Sequence, residues 1–156
     1  MQVPPRYLVL GPLLVETDEV FAPTARKQRL LLTRLLLSPD QIVSVDRLTD
    51  ALWPARPPST ARKLIQLYVH ELRTLLGDEA IETAAEGYKL RADVDALDAV
   101  RFERLFAEGQ SLLEGGNPAL ARTTLQRALD LWRGPAFGDA AYEEFARLDA
   151  ASTPAK

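Results

Sequence analysis

The stretch from Ser59 to Leu90 limits most sharply what this chain can fold into. At about 100° per residue, Ile65, Val69, Leu72 and Leu76 fall in one narrow sector, so the spacing predicts a helix from Ser59 or Thr60 to Leu76 that buries a single stripe. Lys63, Gln66, Leu67, His70 and Thr74 lie opposite the stripe, with Glu71 and Arg73 on its flanks. Gly77 is a stop signal. Ile81–Thr83 and Tyr88–Leu90 then read as two strands joined by Ala84-Ala85-Glu86-Gly87, with Gly87 supplying a permissive turn. A shorter helix precedes this unit. Ser44 is its expected N-cap, Asp46 sits in the first turn, Val45, Leu48 and Leu52 share a face, and Pro54 ends it after Trp53. A stiff, basic loop, Pro54-Ala55-Arg56-Pro57-Pro58, connects the two helices.

A helix pair followed by a hairpin is the order of parts in a winged helix-turn-helix, where the second helix enters the DNA major groove and the hairpin reaches in beside it. Upstream, Arg6–Glu16 predicts two short strands around Gly11-Pro12, and Val20-Phe21 a third. A helix capped by Thr24 follows, running to Leu37 with Leu30, Leu31 and Leu35 inward. After Ala92 the strand signals stop. Asp98 is the expected cap of a helix ending near Glu114, and Gly115-Gly116-Asn117-Pro118 makes a tight turn. A second helix runs from Ala119 to Trp132, and a third begins near Ala140. The expected architecture is an α+β winged helix-turn-helix over residues 1–92, with a small antiparallel sheet, three helices and a hairpin wing. An all-α, tetratricopeptide-like segment over residues 93–156 follows it.

Composition narrows the chemistry. The chain has 156 residues, 47% of them apolar, enough for a packed core. It contains no cysteine, which excludes disulfides and thiolate chemistry. Its one histidine, His70, has no second ligand at a suitable spacing, so no metal is expected. Asp93, Asp95 and Asp98 lack calcium-loop spacing, and helix capping accounts for them better. No phosphate-binding glycine loop and no nucleophile with a partner occur, so neither a cofactor nor an enzymatic activity is expected. The leucine-rich run Leu30–Leu37 is too short for a bilayer, and the N-terminus lacks a signal-peptide core. These features predict a cytoplasmic, nucleoid-associated protein with no membrane partner. Residues 1–77 hold ten Lys and Arg against seven Asp and Glu, whereas residues 78–156 hold nine against fifteen. The basic excess thus lies in the half that carries the helix pair, where a DNA footprint would fall.

The candidate base-reading residues are Lys63, Gln66, Leu67, His70 and Arg73. Gln pairs with adenine, and Leu touches the thymine methyl. Lys27, Arg29, Arg62, Lys89 and Arg91 are the candidate phosphate contacts. Glu71, beside the reading set, would repel phosphate yet can accept a hydrogen bond from cytosine N4. Glu86 at the hairpin tip disfavours deep minor-groove entry there. Trp53, Trp132 and Tyr88 are expected to pack.

Several motifs together resemble the Streptomyces antibiotic regulatory protein family. They are Arg26-Lys27-Gln28-Arg29, Val43-Ser44-Val45-Asp46-Arg47-Leu48, Ala51-Leu52-Trp53, Pro57-Pro58 before Thr60-Ala61-Arg62, and Gln66, Tyr68-Val69, Leu72-Arg73 and Leu76-Gly77. Gly87-Tyr88, Asp98-Ala99-Val100-Arg101-Phe102-Glu103 and Leu131-Trp132-Arg133-Gly134-Pro135-Ala136 complete the set over about 130 residues. The resemblance implies a response-regulator-type winged helix joined to a bacterial transcriptional activator domain. It further implies activation of secondary-metabolite genes, tandem or homodimeric binding to promoter direct repeats in double-stranded DNA, and recruitment of RNA polymerase holoenzyme. Pro54, Arg56 and Pro57 become the candidate polymerase-contact loop. The alternative is a protein-interaction module whose winged helix no longer reads DNA, a reading motivated by the acidic second half and by Glu71.

Overall fold

The computed structural model describes residues 4–138, so the third helix expected near Ala140 lies outside the described residues. Three short strands open the chain, β1 (Arg6–Leu8), β2 (Leu14–Glu16) and β3 (Val20–Phe21). They pair antiparallel in chain order, with Tyr7 opposite Val15 and Val15 opposite Phe21. Helix α1 (Arg26–Leu36) follows. Its N-cap is Ala25, not the expected Thr24, and no side chain caps it. Gln28, Leu30, Leu31, Leu32, Thr33, Leu35 and Leu36 are all buried, so α1 is a central helix covered on most sides.

Strand β4 (Ile42–Ser44) leads directly into α2 (Val45–Leu52), where the Ser44 hydroxyl accepts a hydrogen bond from the Arg47 amide at 3.1 Å, as a helix cap should. Helix α3 (Ala61–Leu76) comes next, then the hairpin of β5 (Ile81–Thr83) and β6 (Gly87–Leu90). Strand β6 lies between β4 and β5, so the piece before α2 and the hairpin after α3 form one antiparallel sheet. The α3 stripe is buried as the wheel requires: Ile65, Val69, Leu72 and Leu76 join Leu31, Leu35, Leu48 and Leu52 in one core, with Tyr88 and Leu90 closing it from the sheet.

Gly87 serves a purpose different from the expected turn. Its φ is not positive, and the Ala84 amide closes the turn on the Gly87 carbonyl at 2.8 Å. Gly87 pairs with Ser44, and a Cβ there would stand 2.0 Å from the Val43 carbonyl oxygen. Glycine is required because the β4 backbone approaches too closely for any side chain.

Beyond a 3-10 turn at Val94–Ala96, α4 (Asp98–Glu114) and α5 (Pro118–Leu129) form an antiparallel hairpin. Asn117 caps α5 and Pro118 occupies its first turn; the helix stops at Leu129, short of the expected Trp132. Gly109 lies under Leu125, where a Cβ would come within 2.4 Å of Cδ2, so the two helices cross closely at that point.

Asp98 does not cap α4. Leu97 is the N-cap, and Asp98, as the first helical residue, turns its carboxylate into the protein. Oδ1 accepts from the Val9 amide at 2.8 Å and Oδ2 from the Leu10 amide at 3.2 Å. The same turn after β1 is held from its other side. The Arg133 amide donates to the Leu10 carbonyl at 2.8 Å, the Phe137 amide to Val9 at 2.7 Å, and the Arg133 guanidinium to Leu8 at 3.1 Å. Gly11 fits here with φ 144°, where a Cβ would meet the Arg133 side chain at 2.9 Å. Leu97, Ala136 and Phe137 accordingly belong to the same core cluster as the first half of the chain. Leu10 meanwhile packs with Phe102 and Ala128 in a second cluster. Trp132 lies edge-on to Phe102, 5.5 Å between centroids.

Two outcomes follow from this packing. Gly87→Ala should destabilise the protein by about 1–3 kcal/mol or more, because the added methyl collides with backbone that cannot move aside, and urea unfolding would show the lowered midpoint. Burial raises the Asp98 pKa against the lowering effect of the Val9 and Leu10 amides and of Arg133. The buried charge therefore weakens the fold as pH climbs from the unfolded carboxylate value, about 4, through the higher folded one. Asp98→Asn removes that component, so its stability relative to the parent should improve with rising pH over this window. A pH-independent difference between the two proteins would contradict it.

Candidate nucleic-acid interface

Helix α3 is the element on which the candidate site is built. With its stripe committed to the core, its opposite arc faces outward, and Lys63, Gln66, Leu67 and His70 are exposed. Their side chains make no hydrogen bond or ion pair among the described residues. Leu67 is 48% exposed. Thr74 turns its hydroxyl back to the His70 carbonyl at 3.2 Å. The arc thus offers an amide, an ammonium, an imidazole and one apolar contact, all uncommitted.

Arg73 is not part of that free set. Its Nε and one Nη donate to the Ile81 carbonyl at 2.9 and 2.7 Å, and the same Nη donates to the Thr83 hydroxyl at 2.7 Å. The guanidinium is committed to β5, which turns the expected base reader into a link between helix and hairpin. Glu71 also differs from expectation. Its carboxylate is turned toward α1, where the buried Gln28 side-chain amide donates to it. An acid that looked like a groove-facing repulsive charge is held against the body of the domain. The glutamine holding it gave no signal in the sequence, because Gln28 sits among basic residues and reads as surface.

The five phosphate candidates divide. Arg62 is exposed at the start of α3. Lys89 and Arg91 lie along and just beyond β6, where the Glu82 carboxylate is shared between them at 3.6 and 3.9 Å. Those pairs are solvent-exposed and weak, so a phosphate can displace Glu82. Lys27 and Arg29 are occupied within the fold. Lys27 donates to the Leu52 carbonyl at the end of α2 and lies 5.2 Å from the centre of the Trp53 ring. Arg29 donates to the carbonyls of Pro23 at 3.1 Å and Thr24 at 2.7 Å, fixing the entry to α1. Both were expected at phosphates; here Lys27 bonds a carbonyl at the C-terminal end of α2, and Arg29 bonds two carbonyls just ahead of α1. Pro54, Arg56 and Pro57 are exposed on the loop between α2 and α3.

Residues 21–90 match the model of the transcriptional regulatory protein C-terminal domain, and residues 97–154 match that of the bacterial transcriptional activator domain. The chain belongs to the Streptomyces antibiotic regulatory protein family. Its relatives include the regulatory protein AfsR of Streptomyces griseus, 35% identical over 84% of this chain and 14% of that protein. The regulatory protein DnrI of Streptomyces peucetius is also 35% identical, over 84% of this chain and 53% of its own length. Among solved structures, Mycobacterium tuberculosis EmbR, in complex with a low-affinity phosphopeptide, superposes with a TM-score of 0.87 at 32% identity, covering 97% of this chain and 42% of that one. The chain spans about half or less of the curated relatives named here. The two matched models are those of a transcriptional regulatory C-terminal domain and a bacterial transcriptional activator domain, and the relatives named here are regulatory proteins. Among the described residues no helix is long and apolar enough to cross a membrane.

The Lys27 contacts can be checked apart from any DNA. Lys27→Met should lower stability by about 1 kcal/mol, since the Leu52 carbonyl loses a charged donor, and thermal melting would show it.

Proposed function

We propose that this chain binds promoter DNA sequence-specifically and activates transcription of secondary-metabolite genes. The observation that carries the reading is the uncommitted outer arc of α3, set beside a hairpin that brings Lys89 and Arg91 near it in the chain. Lys63, Gln66, Leu67 and His70 would read or border bases in the major groove, and Arg62, Lys89 and Arg91 would hold phosphates. Arg73, Lys27 and Arg29 leave the contact set for the structural reasons given above. The regulators AfsR and DnrI support the regulatory class, and the family resemblance supports tandem binding to direct repeats and recruitment of RNA polymerase holoenzyme. The exposed loop with Pro54, Arg56 and Pro57 is the surface we assign to the polymerase. We read α4–α5 as the opening hairpin of a tetratricopeptide-like array, because Leu113, Leu120 and Leu129 stay exposed on it. A cytoplasmic, nucleoid-associated location follows from this role.

A gel shift against the upstream region of neighbouring biosynthetic genes tests the proposal. The parent should shift that DNA at physiological salt, and Gln66→Ala should weaken it by about 1–3 kcal/mol if Gln66 pairs with a base. No shift even at low salt would favour the interaction-module alternative. Arg62→Ala should reduce the slope of log affinity against log salt by about one, whereas Lys27→Met should leave it unchanged.

A further inference from the structure

Three of the five N–H donors that an arginine carries are engaged on one hairpin strand at Arg73, and this requires a reason. Placed on a helical wheel, Arg73 and Glu71 stand at the two edges of the exposed arc, about 160° apart, with Lys63, Gln66, Leu67 and His70 between them. Each edge is tied to a different part of the protein. Glu71 is held by Gln28 of α1, and Arg73 by Ile81 and Thr83 of β5. A single apolar stripe fixes which face of α3 is buried, and hydrogen bonds on both flanks add the directional constraint that apolar contact lacks.

We propose that Arg73 is a positioning residue that locks the hairpin to α3, so that helix and hairpin meet DNA as one rigid reader. Its consequence for DNA rests on the function proposed above; the lock itself does not. The planar guanidinium suits the task because a single fork spans the Ile81 carbonyl and the Thr83 hydroxyl together, which an ammonium point charge cannot reproduce. The lock lies on the strand that pairs with β6, where Glu82 stands opposite Lys89, so a shift of the hairpin would carry Lys89 with it. Thr83, unremarkable as a strand residue, becomes the second half of the lock.

The roles open to Arg73 separate experimentally. A base reader would lose discrimination at one base pair when removed, and a charge that serves only phosphate would be rescued by lysine. A lock fails with lysine as well as alanine, and it fails in the free protein. The test uses the full chain as parent, Arg73→Lys, Arg73→Ala and Thr83→Val. Amide hydrogen exchange is measured without DNA, and hydroxyl-radical and guanine-methylation protection with promoter duplex.

Exchange at the β5–β6 amides should rise about tenfold in both Arg73 variants and less in Thr83→Val, while the Val69 and Leu72 amides keep the parent rate. On DNA, the protection flanking the groove should fade and the major-groove protection should persist, with no rescue by lysine. Hairpin exchange at the parent rate in Arg73→Ala, or full rescue by Arg73→Lys, would overturn the lock. Should Arg73→Ala fail to fold, Thr83→Val carries the same comparison, and unchanged hairpin exchange in it would count equally against the proposal. If the parent itself protects no DNA, the function proposed above fails, and the exchange measurement still decides the lock.

Discussion

Burial of Ile65, Val69, Leu72 and Leu76 against α1 and α2 decides where every other side chain of α3 can point. A helix has one circumference, so once a stripe is committed to the core its opposite arc must face solvent. That arc contains Lys63, Gln66, Leu67 and His70 and is the surface available for recognition. The flanking pairs, Glu71 with Gln28 and Arg73 with β5, then narrow the arc and fix its angle. The hairpin's own position depends in turn on Gly87, whose missing side chain lets β6 lie against β4.

A second constraint joins the helical segment to this unit. Asp98 begins α4, yet its carboxylate is spent on the Val9 and Leu10 amides, and the Arg133–Phe137 strap grips the same turn from the other side. The turn after β1 is therefore the piece both parts share. Bonds to backbone from a buried carboxylate have fixed direction, so they set how α4 leaves the winged helix in a way that apolar packing does not. This gives a physical reason for Asp98 and the Trp132-Arg133-Gly134-Pro135 run to occur in one chain although 34 residues separate Asp98 from Trp132.

The element order was legible from the sequence because it rests on local signals: apolar periodicity in α3, the Ser44 cap, the Gly115-Gly116-Asn117-Pro118 turn, and strands broken by glycine. The α3 wheel also assigned core and exposed faces correctly. What could not be read was which polar side chains turn inward. Arg73, Lys27 and Arg29 carry the charge a DNA contact needs, but each meets a carbonyl outside its own helix, whose approach apolar periodicity does not record. Glu71 and Asp98 show the same limit for acids, since their partners Gln28, Val9 and Leu10 lie 43, 89 and 88 residues away. The close approach at Gly87 is not legible from the local pattern, because contact with a third strand depends on sheet order.

The central claim is that the outer arc of α3 is the DNA-reading surface. The most direct measurement is an NMR titration of the isotopically labelled protein with promoter duplex, following backbone and side-chain signals together. The account predicts that the largest changes fall on Lys63, Gln66, Leu67 and His70, with a second group at Lys89 and Arg91 and little change along α4 and α5. Changes centred on α4 and α5, or an α3 whose signals do not move when DNA is bound, would contradict it.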